Sequence, residues 1–65
     1  MSYRTFTRTW WKFNASWPGG REPHAGRKTY RGHYQNENEA REACQVYNEA
    51  HDPGQLSRKM EYESA

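Results

Sequence analysis

Cys44 and His51 are the first residues to test for chemistry, because a thiol and an imidazole in contact make a nucleophile–base pair. They stand seven residues apart in a stretch with helical periodicity, on similar faces. At 1.5 Å per residue they lie about 10 Å apart along the axis, too far to share a proton or a metal. His24, His33 and His51 fall in a loop, a strand and a helix end, without Cys or carboxylate at ligand spacing. The helix dipole accounts for His51 in a last turn. Gly19-Gly20 has no Lys-Ser/Thr after it and opens no helix, so it is not a phosphate loop. The expectation is a non-enzymatic chain with no catalytic residue, no metal, no cofactor and no small-molecule substrate.

Cations and aromatic rings remain. Residues 1–34 carry Arg4, Arg8, Lys12, Arg21, Arg27, Lys28 and Arg31 against Glu22 alone, a net +6. Residues 35–65 carry Arg41, Arg58 and Lys59 against seven acids, a net −4. A basic surface for an anionic partner is one consequence. The other is that the two halves lie side by side and compensate.

The elements that position these residues follow from periodicity. Residues 3–17 read as a strand. Thr5, Thr7, Thr9, Trp11, Phe13, Ala15 and Trp17 lie on one face, and Arg4, Phe6, Arg8, Trp10 and Lys12 on the other. A bulge near Thr9–Trp10 is compatible with the adjacent tryptophans. Residues 18–26, with three Gly and two Pro, read as a mobile loop not required for folding. Residues 27–35 form a second strand, with Tyr30 and Tyr34 towards the core and Arg27, Thr29, Arg31 and His33 opposite. Asn36 caps a helix of about 14 residues with the apolar stripe Ala40, Ala43, Cys44, Tyr47 and Ala50. Asp52-Pro53-Gly54 stops it, and residues 56–62 alternate as a third strand carrying Leu56, Met60 and Tyr62.

The fold class is α+β: a single small domain over 1–65, β-β-α-β, with one helix packed on one face of a three-stranded sheet. A right-handed crossover puts strand three parallel to strand two across strand one, in the order 2-1-3. Leu, Ile, Val and Phe total only four residues, while ten are aromatic. The core therefore has to come from Trp11, Phe13, Tyr30, Tyr34, Ala40, Ala43, Tyr47, Met60 and Tyr62, with tyrosine hydroxyls at the rim. Ala43 is expected to set the helix–sheet distance. One cysteine allows no internal disulfide, and no apolar run spans a membrane, so the expected setting is cytoplasmic.

The second sheet face is then left uncovered, with Phe6 and Trp10 among Arg4, Arg8, Lys12, Arg27, Thr29, Arg31 and His33. Cations neutralise phosphates and rings stack on bases, so this face predicts nucleic-acid binding, with Arg21 and His24 reaching from the loop. The competing reading makes Phe6 and Trp10 a small cluster screened by Arg and Lys stems. The segments Trp11-Lys12-Phe13-Asn14-Ala15, Gly26-Arg27-Lys28-Thr29-Tyr30-Arg31-Gly32-His33-Tyr34 and Asn38-Glu39-Ala40-Arg41-Glu42-Ala43 resemble a known pattern. It is that of the sheet-plus-helix DNA-binding modules of plant AP2-type factors and phage integrase arm-binding domains. The resemblance implies a sheet laid in the DNA major groove with Arg and Trp contacts. Tyr34 stands where that pattern has Phe, and the third strand follows the helix instead of preceding it. Size and composition also look like small bacteriophage accessory proteins, which implies a host protein as the alternative partner, bound and inhibited in the host cytoplasm.

Overall fold

Asn36 decides where the helix begins. Its side-chain oxygen accepts the Glu39 backbone N–H at 2.8 Å, satisfying one donor that a helix start leaves unpaired. In the computed structural model, which describes residues 1–65, helix α1 runs Glu37–Ala50, the expected 14 residues. Arg41 pairs with Glu37 one turn back at 3.0 Å. At the other end the His51 N–H donates to the Tyr47 carbonyl, and its ring stacks on Tyr47 at 4.0 Å.

Strand β1 (Tyr3–Arg8) lies between β4 (Thr29–Tyr34) and β5 (Lys59–Ser64) and is antiparallel to both. The order β4-β1-β5 is the expected 2-1-3, and β4 and β5 run in the same direction. The third strand starts later than its alternation suggested. Residues 54–57 form a turn in which Ser57 has φ +51, so Leu56 lies outside the strand. Its carbonyl instead accepts the N–H groups of Trp10 and Trp11 at 2.9 and 3.2 Å.

The helix lies mainly over β5 and β1. Its buried residues, Ala40 and Cys44, are small, so it approaches the sheet closely and small residues must face it. Thr5 and Thr7 do, 1% and 3% exposed, beside Met60 and Tyr62 in register on β5. Burial pushes the Cys44 thiol pKa up, as befits a structural cysteine. Tyr62 keeps its hydroxyl at the rim, donating to Glu37 at 2.9 Å. Asn48 clamps the β5 edge: its amide donates to the Met60 carbonyl at 3.1 Å and accepts the Met60 N–H at 2.8 Å.

Of the expected core only Ala40 and Met60 are buried; Trp11, Tyr34, Ala43, Tyr47 and Tyr62 are half-buried, and Phe13 and Tyr30 are exposed. Tyr30 moves because the β1–β4 register shifts between Thr5 and Phe6, where Gly32 faces Thr5 but Tyr30 faces Phe6. The extra residue, Arg31, reverses the alternation and sends Tyr30 to the far side of the sheet. Trp11 and Phe13 move because the first strand breaks at Thr9–Trp10, ahead of a separate strand β2 (Trp11–Phe13).

The segment 18–26 is likewise not a free connection. A single turn of tight helix (Pro18–Gly20) leads into β3 (Arg21–Pro23), which pairs antiparallel with β2. Gly19 and Gly20 take φ +82 and +78 at the tip, a conformation that costs glycine little. The ladder continues back to the main sheet through His24 N–H to the Trp10 carbonyl and Gly26 N–H to the Thr9 carbonyl, at 2.9 and 2.8 Å. A Cβ on Gly26 would sit 3.1 Å from the Thr9 carbonyl oxygen and 2.6 Å from its hydroxyl, so glycine permits that close pairing. The result is one long, interrupted hairpin from 3 to 34, on a trace extending 43 × 22 × 13 Å.

Ala40 is 0% exposed, whereas Ala43 is half-buried along an open groove. Ala40, not Ala43, therefore sets the helix–sheet distance. Ala40→Leu is expected to destabilise the chain by about 1–3 kcal/mol. Ala43→Leu should stay within about 0.5 kcal/mol of the parent. Urea unfolding of both variants checks the contrast, and equal losses would contradict it.

Candidate functional site

On the sheet face away from the helix, Arg4, Phe6 and Arg8 of β1 stand in register with Glu63, Glu61 and Lys59 of β5. Arg4 donates to Glu63 at 2.6 Å, Lys28 to the other oxygen of Glu63 at 2.5 Å, and Arg8 to Glu61 at 3.2 Å. Phe6 lies beneath these cations, only 2% exposed. The Lys28 ammonium is 4.7 Å and the Arg8 guanidinium 5.0 Å from its ring centre, and Tyr30 meets it edge-on at 6.1 Å. Arg4 covers Tyr30 at 4.7 Å, and Arg8 covers Trp10 at 4.7 Å. This is the screened aromatic cluster, with long stems covering apolar rings and charged heads held by carboxylates.

The residues expected to bind are thus divided. Arg4, Phe6 and Arg8 are absorbed into this cluster, and Trp10 remains 37% exposed under Arg8. Lys12 pairs with Glu22 across the β2–β3 hairpin at 3.0 Å, which holds the Glu22 carboxyl below its usual range. Arg21 donates to the Gln55 carbonyl and lies 5.5 Å over Trp11. His24 is exposed beside the hairpin, and His33 is exposed opposite Arg4. Arg31, the bulge residue, stands apart from the cluster and donates to the Thr7 hydroxyl at 3.2 Å.

Arg31 belongs to a second arrangement. Thr7, Thr9 and Thr29, with Arg8, Arg27, Arg31 and Arg58, line a recess of about 140 Å³ that contains no carboxylate and no apolar residue. Arg8 contributes to the wall while its guanidinium is engaged by Glu61. Arg27 and Arg58 make no side-chain hydrogen bond or ion pair. Guanidinium groups without a carboxylate, beside threonine hydroxyls, form a donor set suited to a phosphate. Arg58 is not among the contacts expected from sequence, because it stands in the alternation of residues 56–62 and joins the recess only through the turn at Gly54–Ser57.

Two further depressions adjoin. One, of about 420 Å³, shares Thr9 and Arg58 with the recess and reaches Phe13. The other, of about 430 Å³, lies between Phe13, Gly19, Gly20, Arg21 and Gln55. A larger groove of about 580 Å³ runs between helix and sheet, lined chiefly by Tyr34, Ala43, Val46, Tyr47, Ala50 and Met60. No helix of the chain is long and apolar enough to cross a membrane.

Lys28 and Arg4, donating to Glu63, hold its carboxyl below the usual carboxylate range. A depressed carboxylate contributes stability that is fully present above its unfolded pKa of about 4.3 and is lost as pH falls through the folded value. The urea midpoint of the parent should therefore fall more between about pH 6 and pH 3 than that of Glu63→Gln, which has no such proton to gain. Identical pH dependence would show the pair to be inert. Comparison with protein-family models, with curated proteins and with solved structures finds no match to this chain.

Proposed function

We propose that this chain is a non-enzymatic nucleic-acid-binding module that takes backbone phosphates in the arginine–threonine recess. One observation carries the reading: Arg27, Arg31 and Arg58 line a recess without a carboxylate, while Arg4, Arg8 and Lys28 are engaged by acids. Phosphate neutralisation by arginine is the sequence-independent part of nucleic-acid affinity. The sheet face expected from sequence serves a different end in this reading. Its guanidinium and ammonium groups would have to leave Glu61 and Glu63, and uncover Phe6, to reach a phosphate. Arg31 is the expected contact that the reading keeps, and Arg27 and Arg58 join it.

A second reading, a module that binds a host protein, draws on the helix–sheet groove, where Val46 is 59% exposed beside Tyr47 and Ala50. The two surfaces meet at Arg31, which lines both, whereas Val46 lines only the groove, so Val46→Ser should leave nucleic-acid affinity unchanged.

Fluorescence anisotropy with a labelled oligonucleotide tests the first reading. Affinity should fall linearly in log–log form as salt rises from about 50 to 200 mM. Arg27→Ala and Arg58→Ala should each weaken binding and lower the salt slope by about 1. Arg4→Ala should lower the melting temperature and leave the slope unchanged. The reading is rejected by absence of binding at about 50 mM salt and micromolar protein. It is equally rejected by a slope that responds to Arg4 and not to Arg27 or Arg58.

A further inference from the structure

We infer that the nucleic acid taken by this chain is a single strand, laid from the arginine recess across the ring of Phe13. The inference rests on the reading that the recess takes phosphate, and adds the class of strand.

Phe13 is 65% exposed although its strand pattern would bury it. It pairs in register with Arg21 on the β2–β3 hairpin, which holds the backbone beneath the ring. The two depressions that meet at Phe13 make a continuous path. Thr9 and Arg58 join the recess to the first depression, and Phe13 and Gln55 join the first to the second, where Arg21 stands. Cations therefore occur at both ends of the path, with the Phe13 ring between them, and the one acid that lines it, Asp52, is turned to accept the Gly54 N–H. Phe13 follows Thr9 by four positions, at most about 13 Å at roughly 3.3 Å per residue, so one short stretch of strand can reach both.

The other exposed rings are less suited. Trp10 and Tyr30 already have the Arg8 and Arg4 guanidinium groups over them, and Trp17 lines none of the three depressions. A base can stack on Phe13 only if its own face is free. A duplex hides those faces in its stack, and a single strand offers them. DNA and RNA single strands share the phosphate and the base face. They differ in the 2′-hydroxyl, which the experiment separates.

The test is anisotropy with a short mixed-sequence DNA strand, the matching RNA strand and the DNA duplex, at about 50 mM salt. Parent, Phe13→Ala, Phe13→Trp and Arg27→Ala chains are compared, each with its melting temperature. Single strands should bind more tightly than the duplex. Phe13→Ala should lose about 5- to 150-fold in single-strand affinity, and Phe13→Trp should retain it. Tighter RNA binding would add 2′-hydroxyl contacts to the same path, and equal affinities would show that only phosphate and base are read. Duplex bound as tightly as single strand, or full affinity in Phe13→Ala, would overturn the inference. If Arg27→Ala still weakened binding in that case, the phosphate reading would stand without it. No binding of any of the three would overturn both. The strand-against-duplex comparison on the parent decides the matter even if Phe13→Ala fails to fold.

Discussion

Phe6 is buried on a sheet face that has no second layer above it, and the molecule depends on how that is achieved. A 65-residue chain with four Leu, Val and Phe residues and no Ile cannot cover both faces of a sheet with apolar side chains. The far face is closed instead by the stems of Arg4, Arg8 and Lys28, whose charged heads are held by Glu61 and Glu63 of the neighbouring strand. Exposed ion pairs are individually weak, typically about 0–1 kcal/mol. Here their larger effect is geometric, because they keep three long side chains lying over one ring and its aromatic neighbours.

That arrangement divides the cations. Those on the far face complete the fold. Those at the base of the hairpin, Arg27, Arg31 and Arg58, have no carboxylate and surround threonine hydroxyls. The bulge at Arg31 produces both outcomes at once. It turns Tyr30 and Lys28 towards Phe6, and leaves Arg31 on the threonine side against Thr7. One extra residue in β4 thus supplies a ring and a stem to the lid and a guanidinium to the recess.

The helix and the strand order were legible in the sequence because their signals are local. A capping asparagine, an Ala/Cys stripe and a Pro-Gly stop act within one turn of the residues they organise. Met60 and Tyr62 facing the helix followed from simple alternation in β5. Alternation does not say which face of β1 the helix will choose. Ring size points to the Trp11 side as core, but a helix presenting Ala40 and Cys44 lies close to the sheet and takes Thr5 and Thr7 against it. The bulge was invisible because Arg31 fits either face by type. The ion pairs were invisible because Arg4 and Glu63 lie 59 residues apart and meet only when β5 pairs with β1. The recess was half legible: Arg31 was marked as a contact, whereas Arg58 joins it only because the chain turns at Gly54–Ser57.

In the proposed function the far-face arginines maintain the fold and the recess arginines meet the ligand. The most direct measurement is the Nε–Hε resonance of each arginine followed by NMR while a short single-stranded oligonucleotide is added. The account predicts that the signals of Arg27, Arg31 and Arg58 shift or broaden with saturation, while those of Arg4 and Arg8 keep their positions beside Glu63 and Glu61. Perturbation of Arg4 and Arg8 with the recess signals unmoved would contradict it.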